Sequence, residues 1–376
     1  MKKNLMTKNN WYEVEDIDQL DSPSLVIYPD RVKENIRVLK SMIDDLNRLR
    51  PHVKTHKTKE ATFLQMEAGI QKFKCATIAE AEMLGMCKAP DVLLAYQPIG
   101  PKLQRFVALI KKYPGTKFSC LVDNIPVAKQ MADIFASNEI IAPLFIDLNV
   151  GMNRTGIEAG EAAIQLYMDC SQRKGIQPVG LHVYDGHIHD TDYKIRKKRC
   201  DEGFMPVEKM KNKLMEMGFA EPIIVAGGSP TFPIHCKRKK IECSPGTFIY
   251  WDKGYTDICP EQSFLPAALV VTRVISLPDE TKLCLDLGHK AIAPENELTR
   301  RVYFINAPEL IAVSQSEEHL VVEAGKDHKY KPGAVLYGMP IHICPTVALH
   351  ERAFTIENGK ITGEWKTIAR DRRIIC

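Results

Sequence analysis

The chain has 376 residues and a formal net charge of +4, with 45% hydrophobic and 26% charged residues. So small a charge over this length argues against a nucleic-acid or membrane-surface partner, and no apolar run approaches the roughly 18 residues of a membrane span. The eleven cysteines form no CxxC and are too sparse for a secreted disulfide scaffold, so a cytoplasmic protein with reduced thiols is expected.

The N-terminal stretch MKKNLMTKNNWYEVE carries two lysines but no apolar segment behind them, so no secretory signal is expected. Short β-rich runs then alternate with helical patterns. The candidate strands are residues 25–28, 51–54, 73–77, 91–96, 117–122, 143–150, 179–184, 222–226 and 241–244. Between them lie amphipathic stretches such as DRVKENIRVLKSMIDDLNRL, where Val32, Ile36, Leu39, Ile43 and Leu46 recur at helical spacing. Alternation of this kind implies parallel βαβ units. It runs for about 200 residues without a break, which favours a closed eight-stranded βα barrel of the TIM type over an open doubly wound sheet. One of the runs is then surplus. Beyond residue 260 helical periodicity fades and consecutive strands with short turns follow, from PAALVVTRVISL to AVLYGMPIHICP and RAFTIENGKITGEWKTIA. A second, mostly antiparallel β domain is expected there, with a boundary near 255–265.

Six stretches carry residues suited to chemistry. In RPHVKTHK (50–57), strand alternation would put His52, Lys54 and His56 on one face. Lys54 would then stand at the C-terminal mouth of a barrel, where burial and neighbouring cations make a lysine nucleophilic. The plainer alternative is a solvated lysine between surface histidines. IDLNVGMNRTG (146–156) offers a tight turn and Arg154, which could meet an anion or an aromatic ring. GLHVYDGHIHD (180–190) gathers His182, Tyr184, Asp185, His187 and His189 at a strand end, or is simply a polar loop. AGGSPTF (226–232), like SPGTFIYWD (244–252), offers backbone N–H groups and hydroxyls to a phosphate, without Walker or dinucleotide spacing. PIHICP puts His342 and Cys344 two residues apart on one strand face, a good zinc pair but half a site.

Taken together and in this order, RPHVKTHK, DLNVGMNRTG, GLHVYDGH, GGSPT, PGTFIYWD and HICPT resemble the pyridoxal-phosphate enzymes of the D-threonine aldolase and D-serine dehydratase group, relatives of the alanine racemase fold. The resemblance runs from about residue 20 to the C-terminus. It implies a cofactor-binding barrel over residues 30–255, and a β domain from residues 1–29 and 256–376 that carries the metal ligands. The surplus run at 25–28 goes to the β domain. Lys54 matches the lysine that forms the Schiff base with pyridoxal 5'-phosphate. Arg154 and Tyr184 match positions lining the cofactor ring. Gly228, Ser229 and Thr231 fall in the phosphate turn, with Tyr250 beside it, and His342 and Cys344 match the ligands of a divalent metal, Zn²⁺ or Mn²⁺.

The implied substrate is a small D-amino acid with a 3-hydroxyl group, and relatives of the fold are usually homodimers. Breaking its Cα–Cβ bond is the aldolase outcome. Losing the hydroxyl after removal of the α-proton is the dehydratase outcome. A racemase or a non-catalytic cofactor carrier are further readings of the fold. Aldolases of the group carry aspartate at the second metal position and dehydratases cysteine, so Cys344 leans one way while GLHVYDGH leans the other. His56, His187 and His189 are candidates for the remaining acid–base role, because imidazole titrates near neutral pH.

Overall fold

The structure, a computed structural model, describes residues 10–376; the first nine residues of the N-terminal stretch discussed above lie outside the described residues. Two compact units are present. One comprises Asn35–Ile249, Tyr255–Phe264 and Ile368–Cys376; the other comprises the described residues up to Glu34, Tyr250–Gly254 and Leu265–Thr367.

The first unit is the barrel. Strands Lys72–Cys75, Asp91–Leu94, Lys117–Val122, Ala142–Asn149, Ile176–Val183, Ile223–Ala226 and Ile241–Cys243 lie side by side in chain order, all parallel. The eighth position is filled by residues 49–53. On one side Arg50 N donates to Cys243 O (2.9 Å) and His52 N to Pro245 O (3.0 Å). On the other, Lys74 N donates to Pro51 O (2.8 Å) and Val53 N to Lys74 O (2.9 Å). These bonds close the ring and exclude the open sheet.

Local sequence explains the crossovers. Helix Ile78–Met86 starts at Thr77, whose hydroxyl accepts from Glu80 N, and helix Ile125–Ser137 starts at Asn124, whose side chain accepts from Val127 N. Inside the ring, Leu93, Leu121, Phe145 and Val225 pack as one apolar layer. Gly180 is required beside it, because a Cβ there would sit 2.6 Å from the Phe145 ring and 2.1 Å from Ile223 O. Towards the strand N-termini the layer gives way to charge. Arg50 bonds Glu242 (2.7 Å) and Asp91 (2.6 Å), and Lys72 also pairs with Glu242. Arg50 is almost fully buried. Removing it leaves Glu242 buried with Lys72 alone. Arg50→Ala is therefore expected to cost about 3–5 kcal/mol, read as a lower denaturation midpoint; a loss below about 1 kcal/mol would contradict this account.

The second unit is a β sheet in the order 311–315, 320–323, 282–285, 268–276, 24–27, 352–357, 360–366, with 335–340 joining 268–276 to 302–304. The surplus run belongs here: Ser24–Ile27 pairs antiparallel with Ala268–Ser276 and parallel with Arg352–Glu357. Val26, Tyr28, Leu269, Val271, Tyr337 and Ile356 form its core. Two expectations are corrected. Ile311–Gln315 is a strand beyond those expected, and its apolar residues Ile311 and Val313 are exposed rather than turned into a core. The run through PIHICP is not one strand: it ends at Pro340, and Ile343–Leu349 is a helix whose N-cap is His342. Pro345 sits in the first turn, where a missing N–H is harmless, and Thr346 Oγ1 donates to His342 O (2.9 Å).

Candidate active site

The strand carrying RPHVKTHK also stops short of its expected length. His56 N and Lys57 N both donate to Val53 O (3.2 and 3.0 Å), so residues 53–57 form a turn and strand alternation ends at His52. Lys54 emerges at the barrel mouth, its N–H donating to His52 Nδ1 (3.2 Å). His56 is carried away from it. Its Nδ1 accepts from Thr58 N (3.2 Å), its Nε2 lies 3.3 Å from Gln65 Nε2, and burial pushes its imidazole down to about 3.

Lys54 lines a cavity together with His52, Lys74, Tyr184, Gly228, Ser229 and Thr247. One wall is the glycine turn after strand Ile223–Ala226. Ser229 Oγ accepts from Gly246 N (3.3 Å) and Thr247 N (3.1 Å), and Gln262 Nε2 holds Ser229 O (2.9 Å). Thr231 does not reach the cavity. Its hydroxyl accepts from Gly228 N (3.2 Å) and donates to Asp185 (2.8 Å), which props the turn from behind. Ser244 adds a buried hydroxyl with no partner.

Tyr184 is the aromatic wall. Lys54 Nζ, Lys74 Nζ and Arg154 Cζ stand 5.8, 5.7 and 4.9 Å from its ring centroid. Arg154 is exposed on the loop at Gly151, whose φ of +111° only glycine adopts easily. His187 packs on that loop: a Cβ at Gly151 would lie 2.8 Å from its Nε2. Burial lowers its imidazole's proton affinity, and its Nδ1 has no partner. His187 does not line the cavity, and His189 is exposed. Tyr250 lies buried in the β unit, its carbonyl accepting from Ala267 N (2.8 Å).

Two carboxylates flank the cavity residues. Asp147 holds His182 Nδ1 (2.7 Å), leaving His182 Nε2 buried without a partner. Asp185 accepts from Thr231 and lies 2.8 Å from His235 Nε2, with Cys200 Sγ 3.6 Å away. Asp185, Cys200 and His235 are close enough to hold a metal ion. The hydrogen bonding argues otherwise. Arg238 donates to His235 Nδ1 (2.8 Å), which places the imidazole proton on Nε2, facing Asp185. The network is closed without an ion.

In the β unit, His342 Nδ1 meets Glu295 Oε1 at 2.5 Å. Burial opposes a charge on His342, but Cys344, Asp252 and Glu295 outweigh it and lift the imidazole to about 9. A carboxylate on Nδ1 is the arrangement that turns Nε2 towards an ion, and imidazole with thiol and carboxylate is a zinc-type donor set. Asp252 Oδ2 also accepts from Ile343 N (3.1 Å), tying it to the helix that carries Cys344.

Lys74, His52 and Ser244 line the site although their residue types and spacing assign them no role in it. Lys74 stands between Phe73 and Cys75 in the strand KFKC, which carries a second lysine at its start.

An amine at the mouth of a closed barrel, beside a glycine turn, is a candidate lysine-centred site. Comparison with known proteins places it further. Residues 27–253 match the family described as alanine racemase, N-terminal domain, and residues 267–356 match the "Putative serine dehydratase domain". A D-threonine aldolase of Arthrobacter sp is 23% identical over 360 residues, covering 94% of this chain and 93% of the relative. Among solved structures, the D-threonine aldolase of Filomicrobium marinum is similar with a TM-score of 0.87 at 23% identity, covering 95% of this chain and 98% of that one. The D-threo-3-hydroxyaspartate dehydratase of Delftia sp. HT23 gives 0.78 at 21% identity, covering 93% and 97%. That dehydratase has also been solved as a cysteine-to-alanine mutant in the metal-free form and as a mutant of a histidine two positions earlier. The chain belongs to the alanine racemase-fold family of D-threonine aldolase and D-serine dehydratase, and it is a lyase of that family.

Proposed function

We propose that the chain is a pyridoxal-phosphate- and divalent-metal-dependent lyase of D-3-hydroxy amino acids, of the D-threonine aldolase type, cleaving its substrate to glycine and an aldehyde. The observation that carries this reading is the cavity at Lys54: a free amine, a donor-rich glycine turn, an aromatic wall and an unpartnered buried hydroxyl at Ser244. These fit an aldehyde, a phosphate and a flat ring. Lys54 would hold the aldehyde carbon. The turn at Gly228–Ser229, with Gly246 and Thr247, would hold the phosphate, and Tyr184 backed by Arg154 would face the ring. His342 and Cys344, with Asp252 and Glu295 near them, would hold the metal.

When bound, the cofactor supplies an electron sink for charge at the α-carbon and the metal a Lewis acid for a hydroxyl group. The chain's own part is to orient and to move protons. His52 Nδ1 fixes the backbone at Lys54, and the Asp147–His182 pair keeps the floor of the mouth rigid.

The aldolase reading draws on the likeness to two D-threonine aldolases. A specific observation favours a second reading. Cys344 puts a thiol at the second metal position, and a dehydratase is the relative solved metal-free after loss of a cysteine. That reading is D-serine dehydratase, giving pyruvate and ammonia.

Incubation with D-threonine and with D-serine, followed by assays of acetaldehyde, pyruvate and the L-isomers, tests both. Acetaldehyde from D-threonine is the expected result. Pyruvate alone would replace the aldolase reading by the dehydratase one, and L-isomers alone would replace both by a racemase.

A further inference from the structure

The cavity contains a second amine. Strand Lys72–Cys75 buries Phe73 and Cys75 completely, and Lys74 between them pairs in register with Leu93 of the interior layer, so its side chain enters the barrel. Lys74 is 2% exposed and lines the same cavity as Lys54. Among the described residues its ammonium has no hydrogen-bond acceptor and no ion-pair partner. The two carboxylates whose fields reach it are already engaged, Asp147 by His182 (2.7 Å) and Asp185 by His235 (2.8 Å). The other charged or titratable groups facing it are Lys54, His52 and Tyr184 at the mouth, His182 beside it, and Arg50 below. Burial first, then Lys54 and Arg50, push its ammonium down to about 7, against the pull of Asp185 and Asp147.

A buried, unpaired ammonium is costly, and packing does not call for it, since methionine has the same reach without the charge. Nearby anions are committed to other partners. The charge is therefore directed at what occupies the cavity, and a lysine poised between its two forms responds to the charge of that occupant.

We propose that Lys74 is a positioning residue for charge: a second cation of the cofactor pocket that sets the protonation state of the group bound at Lys54. The proposal rests on the cofactor reading above and goes beyond it, because it assigns this chain an electrostatic control absent from the Lys54 and phosphate-turn assignments.

The test uses the full-length protein loaded with pyridoxal phosphate, with visible absorbance followed from neutral to alkaline pH in wild type, Lys74→Met and Lys74→Arg. Loss of a nearby positive charge favours the protonated form of the bound group, so its transition in Lys74→Met is expected to move up by about one pH unit. The cofactor's phosphate favours the charged form of Lys74, so Lys74→Arg, which keeps that charge, is expected to stay close to wild type. A Lys74→Met transition that coincides with wild type overturns the proposal, even if its melting temperature falls, because that combination marks a packing role only. If Lys74→Met does not fold, Lys74→Gln supplies the neutral form and is judged by the same shift. Borohydride reduction and peptide mass mapping of the wild type separate this failure from a deeper one. A wild type with no adduct at Lys54 overturns the cofactor reading, and the proposal with it; an adduct at Lys54 with no shift overturns the proposal alone.

Discussion

Lys54→Ala yields a folded protein that no longer takes up pyridoxal phosphate covalently, and its lyase activity falls by at least about 10³-fold. The two halves of this expectation have separate causes. The turn at residues 53–57 is held by backbone bonds to Val53 O, and the Lys54 ammonium makes no hydrogen bond or ion pair among the described residues. Removing it costs the fold about 1 kcal/mol at most. Removing it costs the cavity the amine that the donor-rich turn and Tyr184 surround. The readouts are the visible absorbance of the loaded protein, the mass of the borohydride-reduced peptide and the thermal midpoint. Undiminished absorbance in Lys54→Ala would withdraw the lysine assignment.

Removing the proposed metal is expected to stop catalysis and spare the cofactor's absorbance. Exhaustive chelation, or replacement of His342 or Cys344 by alanine, is expected to lower bound metal from about one equivalent to a small fraction and to reduce turnover by about 10²-fold or more. Zn²⁺ or Mn²⁺ restores the chelated wild type and fails to restore the variants. Glu295→Gln is the finer probe. It keeps a hydrogen bond to His342 Nδ1 but loses the charge, so metal affinity is expected to fall about 10–100-fold with the ligands intact. Full turnover in protein shown to be metal-free would remove the metal from the reaction. Metal retained by both alanine variants would instead move the site elsewhere, and Asp185, Cys200 and His235 would become the first place to look.

Much of this molecule is legible in its sequence because alternation is a statement about faces. Parallel strands buried on both sides announce themselves as apolar runs, and the helices between them as stripes. The reading fails where a strand stops early. His56 shares a face with Lys54 only if alternation runs on through residues that turn instead, and the two Val53 carbonyl bonds that end the strand have no side-chain signature. The same holds at His342 and Cys344, which share a helix start rather than a strand face. Thr231 lies in the glycine turn and faces away from the cavity, since Asp185, distant in sequence, claims its hydroxyl. Lys74 is hidden differently. A lysine in a strand reads as an edge or a surface position, and only ring closure reveals that this one points inward.

That ring is joined, between its last strand and its first, by the irregular segment 49–53, held by main-chain bonds to Cys243, Pro245 and Lys74 and by the ion pairs of Arg50 with Glu242 and Asp91. The Lys54 amine is mounted one residue past this weld. Whatever grips Lys54 and the opposing glycine turn at once also spans the weld, so occupancy of the mouth and integrity of the cylinder become two faces of a single equilibrium. A prosthetic group bound there would stiffen the barrel where its last strand meets its first.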